Sequence, residues 1–85
     1  MALRRSPDTA WQMIGEEAVI MNLSGAHVVG LNATGALVWS LLEERDEPGL
    51  VRAVAERFDV EEAAARDDVH EFLTLLRERG LVVES

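Results

Sequence analysis

The 85 residues predict an α+β fold: a small antiparallel sheet of three strands followed by three helices. Three observations carry this. Apolar residues alternate with polar ones through the first third of the chain and recur at helical spacing through the remainder. The connections within the first third are short and contain glycine, as hairpins require. The hydrophobic fraction of 48 % with 28 % charged residues favours a packed core over disorder. Residues 1–85 make one domain with a core from about residue 9 to 83, and a chain this short buries only about 60 to 65 % of the surface its unfolded form exposes.

Thr9–Ile14 forms the first expected strand, with Trp11 and Met13 on one face, and Gly15 and Glu16 supply turn chemistry. Ala18–Leu23 is the second, joined through Ser24, Gly25 and Ala26 to a third, His27–Leu31. Strands joined so closely pair as a meander, which leaves the third at an edge.

Asn32 suits the N-cap of a first helix running from about Ala33 to Arg45, with Leu37, Val38, Leu41 and Leu42 at helical spacing and Trp39 as a core or interface ring. The Asp46-Glu47-Pro48-Gly49 breaker precedes a second, short helix marked by Leu50, Val51, Val54, Ala55 and Phe58, with Pro48 fitting its first turn. Asp59 followed by Glu62 reads as a capping box opening a third helix, which ends near Arg79 before Gly80. On a helical wheel Ala65, Val69, Phe72, Leu73 and Leu76 share its buried face, while Leu75 falls off that face beside Asp68 and Arg79. Leu75 there is either the wall of a pocket or an exposed leucine of no consequence. Leu81–Glu84 either adds a short strand or fills the lower edge of the core.

Charge and composition exclude several function classes. Sixteen acidic residues against eight basic ones leave a net charge of -8, which repels phosphate backbones and anionic lipid. With no cysteine there is no disulfide, thiolate metal site or cysteine nucleophile. Met1–Pro7 is followed by no apolar stretch of signal-peptide length, and no run approaches the ~20 residues of a membrane span, so a cytoplasmic protein is expected. His27 and His70 lie in different elements with no second ligand at metal spacing, so neither a metal site nor a cofactor nor catalysis is expected. Gly25, Gly30 and Gly35 match no phosphate-binding spacing, and there is no Lys to hold a phosphate. Gly25 serves a turn, Gly30 allows close approach to the third strand, and Gly35 sits in the first turn of helix one.

Strands followed by three helices also describe a winged-helix module, and the alternative function is a DNA-binding or regulatory one. Charge opposes it: helix three carries Arg66, Arg77 and Arg79 against Glu61, Glu62, Asp67, Asp68, Glu71 and Glu78. The exposed edge of strand three fits a different role, because its unpaired N–H and C=O groups can take an extended peptide as an added strand. Either His27, Val29 and Leu31 or Val28 and Gly30 would present those groups. The same edge could pair with another copy, so a monomer or a weak dimer is expected.

The run from Val28 to Leu42, VVGLNATGALVWSLL, resembles the PqqD family, in which a strand leads into Leu-Asn, a small residue, an aliphatic residue and often Trp before a Leu pair. Val51–Phe58 is similar to the family's second helix, and Asp68-Val69, Phe72-Leu73, Leu76 and Gly80-Leu81-Val82 to its third helix and Gly-Leu terminus. The likeness spans about Thr9 to Val83. It implies a non-catalytic, winged-helix-like recognition element for ribosomally made, post-translationally modified peptides, holding the precursor's leader between strand three and helix three. The site residues it implies are His27, Val28, Val29, Gly30 and Leu31 on the strand, and Asp68, Val69, Phe72, Leu75, Leu76 and Arg79 on the helix. The partners it implies are the leader and a maturation enzyme: a radical SAM enzyme, a cyclase or a leader peptidase. Members serving pyrroloquinoline quinone synthesis often carry Pro-Glu near the second turn, where this chain has Asn22-Leu23-Ser24-Gly25. A lasso-peptide or other peptide-modifying pathway is therefore at least as well supported.

Overall fold

A computed structural model describes residues 3–25 and 27–84. Along the chain run β1 (Leu3–Arg5), β2 (Thr9–Ile14), β3 (Glu17–Asn22), β4 (His27–Leu31), α1 (Ala33–Leu41), α2 (Glu47–Phe58), α3 (Glu62–Glu78) and β5 (Val82–Glu84). The sheet of β2, β3 and β4 is an antiparallel meander in that order, so the α+β architecture expected from the sequence is present. β2 and β4 have the expected bounds, and β3 lies one residue earlier than expected. The β2–β3 connection is the two-residue turn Gly15-Glu16, closed by the pair Ile14 and Glu17, and Gly15 takes the positive φ of 64° that such a turn needs. Ala26, in the expected loop before β4, lies outside the described residues, as does Met1 at the chain start.

One face of the sheet packs on the helices. The register aligns Trp11, Ile20 and Val29 in one row and Met13, Ala18 and Leu31 in the next. Ala18, Ile20 and Leu31 of these rows join Trp39, Leu42, Leu50, Val54, Val69, Leu73, Leu76 and Leu81 in a single core. Trp11 and Met13, on the edge strand β2, stay 38 % and 42 % exposed. Trp11 meets the buried Trp39 edge to face, with ring centroids 6.3 Å apart.

Asn32 caps α1 as expected, its Oδ1 accepting from Gly35 N at 2.9 Å. The helix ends at Leu41, however, and not near Arg45. Arg5 supplies the reason: its guanidinium donates to the carbonyls of Trp39 and Ser40 at 2.8–3.1 Å, and Glu44 N turns back to Leu41 O. The carbonyls that another helical turn would have used are thus taken by a side chain 34 residues earlier in sequence.

α2 begins on Asp46, whose Oδ1 accepts from Gly49 N at 3.0 Å, with Pro48 in its first turn. The expected capping box at Asp59 is absent. Asp59 instead closes α2 in the left-handed conformation at φ 52°, and α3 starts at Glu62 after Glu61, with no side-chain cap. Asp is among the few non-Gly residues that enter this region readily, and a residue spent ending one helix cannot also cap the next. α3 ends as expected: Gly80, at φ 68°, donates to Arg77 O while Leu81 donates to Leu76 O, the paired bonds of a Schellman motif.

The chain then enters β5, which pairs antiparallel with β1, a strand not expected from the sequence. No described helix is long and apolar enough to cross a membrane.

Candidate functional site

β4 pairs with β3 on one side only, and its outward groups follow from a bond at the far end of the sheet. Leu23 N donates to Asp8 O at 2.8 Å, which extends the β2–β3 register by one hydrogen-bonded pair. Such pairs alternate along an antiparallel ladder, so Met21, Val19 and Glu17 direct their N–H and C=O to β2. Asn22, Ile20 and Ala18 therefore direct theirs to β4, where the register sets them opposite His27, Val29 and Leu31. Val28 and Gly30 are left with both backbone groups pointing off the open edge. The two parities that the sequence left open are thereby distinguished.

α3 lies across a gap from this edge. At the start of β4 a cavity of about 330 Å³ is lined by Asn22, His27, Val29, Arg79 and Leu81. Beyond its end a second, of about 350 Å³, is lined by Asn32, Thr34, Gly35, Asp68, Glu71, Phe72 and Leu75. Numbers fall along α3 as they rise along β4, so the two elements run antiparallel along the walls of one groove. The groove floor is tightly built: a Cβ on Gly35 would come within 3.2 Å of the Phe72 ring, so glycine here lets α1 approach α3 closely.

The residues expected at the site separate into three groups. Val28, Gly30, His27 and Val29 lie along the edge strand, and Leu31 belongs to it by backbone while its side chain is buried. Asp68, Phe72, Leu75 and Arg79 line the groove from α3, with Leu75 half-buried. Val69 and Leu76 do not reach it: both are 0 % exposed and belong to the core behind the groove wall. Six lining residues went unanticipated: Asn22, Asn32, Thr34, Gly35, Glu71 and Leu81. Thr34 and Gly35 enter because α1 starts immediately after β4, and Glu71 because it lies one turn from Asp68 on α3. Helical spacing alone could have identified Glu71.

The ionisable side chains lining the two cavities are His27 and Arg79 in one and Asp68 and Glu71 in the other. Among the described residues no three His, Cys, Asp or Glu side chains converge as a metal would need. His70 contacts Glu47 at 3.4 Å on the exposed side of α3. What the groove offers is an unpaired strand edge, two cavities and a few charges, which is the equipment for holding an extended chain.

Comparison with known proteins finds a matching family and two solved structures of the same fold. The family model described as "Coenzyme PQQ synthesis protein D (PqqD)" matches residues 17–82. A solved structure described as "TbiB1 in Complex with the TbiA(beta) Leader Peptide" is 28 % identical, covers 96 % of each chain and superposes with a TM-score of 0.87. Another, "Lasso peptide synthetase B1 complexed with the leader peptide", is 21 % identical and shares the fold at a TM-score of 0.85, over 99 % of this chain and all of that one. No curated protein matches the chain.

Proposed function

The chain belongs to the PqqD family, and on that premise we propose that it is a peptide chaperone. It captures the leader of a ribosomally made precursor as a fourth strand on β4 and presents it to maturation enzymes. The observation that carries this is the open edge of β4, where the backbone groups of Val28 and Gly30 point off the sheet and a cavity lined in part by residues 68–79 lies at each end of the strand. Main-chain bonds to those residues supply affinity, and alternate side chains of the leader enter the two cavities. The protein performs no chemistry of its own and acts in the cytoplasm. Its second partner is a radical SAM enzyme, a cyclase or a leader peptidase, and the likeness to a protein solved with a leader peptide supports the leader as the first partner.

The leader is disordered when free, so ordering it costs roughly 2 to 5 kcal/mol of the gross interaction energy. Micromolar or tighter affinity remains attainable with a preformed groove. Amide chemical-shift mapping with the leader half of a candidate precursor peptide tests the reading. Val28, Gly30 and the amides of Asp68, Leu75 and Arg79 should respond, and Leu75→Asp should weaken binding by at least about tenfold at unchanged thermal stability. Perturbation confined to another surface would refute edge capture.

A further inference from the structure

The groove is electrically polarised along its length. One cavity carries the carboxylates of Asp68 and Glu71, the other Arg79 beside His27. Carboxylates without partners are commonplace on a chain of net charge -8, so the acidic end alone says little. Arg79 says more. Four of the eight arginines, Arg5, Arg57, Arg66 and Arg77, are in ion pairs with carboxylates, whereas Arg79 has none among the described residues and lines the cavity at the start of β4.

The backbone does not cancel this pattern. The N-terminus of α1 lies at the acidic end and contributes about +0.5 charge against two carboxylates, and the C-terminus of α3 sets about -0.5 against Arg79. Each end keeps the sign of its side chains.

Resting on the capture reading, we infer that the groove selects leaders by charge order. The bound segment places a cationic side chain against Asp68 and Glu71 and an anionic one against Arg79. Geometry gives their spacing. Asp68 on α3 and Arg79, the residue that caps its C-terminus, are eleven residues apart, about 16 Å by helical rise. An extended chain covers that in about five residues, and only residues an even number apart face the same way. The two charges are therefore four or six residues apart in the leader. Single exposed ion pairs are weak, and two or three acting together give about a tenfold preference for the matched order over the reversed one.

The test is a display selection of random 14-residue peptides against the wild-type protein and against the charge-reversed triple variant Asp68→Lys, Glu71→Lys, Arg79→Glu. All three positions are exposed, so the variant should keep the fold, and thermal melting checks that it does. Peptides enriched on the wild type should share one N-to-C order of basic and acidic residues at a spacing of four or six, and the variant should enrich the opposite order. The same order on both proteins, or no order on either, overturns the inference while leaving capture intact, provided the enriched peptides shift the Val28 and Gly30 amides. Enriched peptides that leave those amides unmoved, or no enrichment at all, overturn the capture reading and the charge order with it.

Discussion

Val28, Val29 and Gly30 are neighbours in one strand, yet proline should affect them in opposite ways. Proline removes an N–H. At Val28 or Gly30 that N–H points off the sheet, so the ladder to β3 survives, and Val28 is 65 % exposed with little packing to lose. At Val29 the lost N–H faces Ile20, a residue of 0 % exposure, and its carbonyl would be left unpaired at a cost of about 1 to 3 kcal/mol. Val28→Pro and Gly30→Pro should thus weaken leader binding about tenfold with melting temperature nearly unchanged. Val29→Pro should lower the melting temperature by about 5 °C or more. Thermal unfolding beside isothermal calorimetry reads both quantities, and equal destabilisation by all three variants would show that the parity assigned from Leu23 and Asp8 is wrong.

At the scale of elements, what the sequence disclosed and what it hid divide along the range of the interactions. β2, β4 and the end of α3 were legible because alternation, the Asn32 cap and Gly80 are local signals, each satisfied by residues within a few positions. The early end of α1 was not legible, because Arg5 takes the Trp39 and Ser40 carbonyls from across the molecule. Nor was the competition at Asp59, where one residue suited two adjacent helix ends and the C-terminal use prevailed. At the groove, spacing alone singled out Leu75, Asp68 and Arg79, but it could not separate Val69 and Leu76 as core from Phe72 as wall, since all share one helical face. The Schellman turn permits a matched comparison. Gly80 and Gly30 both have open space where a Cβ would go, but only Gly80 has positive φ. Gly80→Ala should therefore cost about 1 kcal/mol, roughly 4–8 °C, while Gly30→Ala should leave the melting temperature within about 3 °C. Two equal shifts would locate the cost in something other than backbone conformation.

Across the whole molecule, β1 is the strap that joins the chain's two ends to the helical layer. Its register with β5 sets Arg5 opposite Val82, and Ser6 N donates to Leu81 O at 2.9 Å just outside the strand pair. Arg5 then reaches across to α1: its side chain lies 5.0 Å from the Trp11 ring and 5.6 Å from that of Trp39, pairs with Glu43 at 3.4 Å, and donates to two part-buried carbonyls. Bonds to part-buried carbonyls should outweigh the exposed ion pair, because water cannot replace them at the same site. Arg5→Ala should accordingly cost about 2 kcal/mol or more, lowering the melting temperature by about 8–16 °C. Arg4→Ala provides the control: Arg4 sits on the same strand but is exposed, and it has no ion pair among the described residues. The groove should be spared, since none of its lining residues touches Arg5 in a hydrogen bond or ion pair. Leader affinity measured well below the lowered melting temperature should stay within about threefold of wild type. A large loss of affinity there would mean that the strap also sets the position of α3 against β4, and that stability and capture are coupled through it.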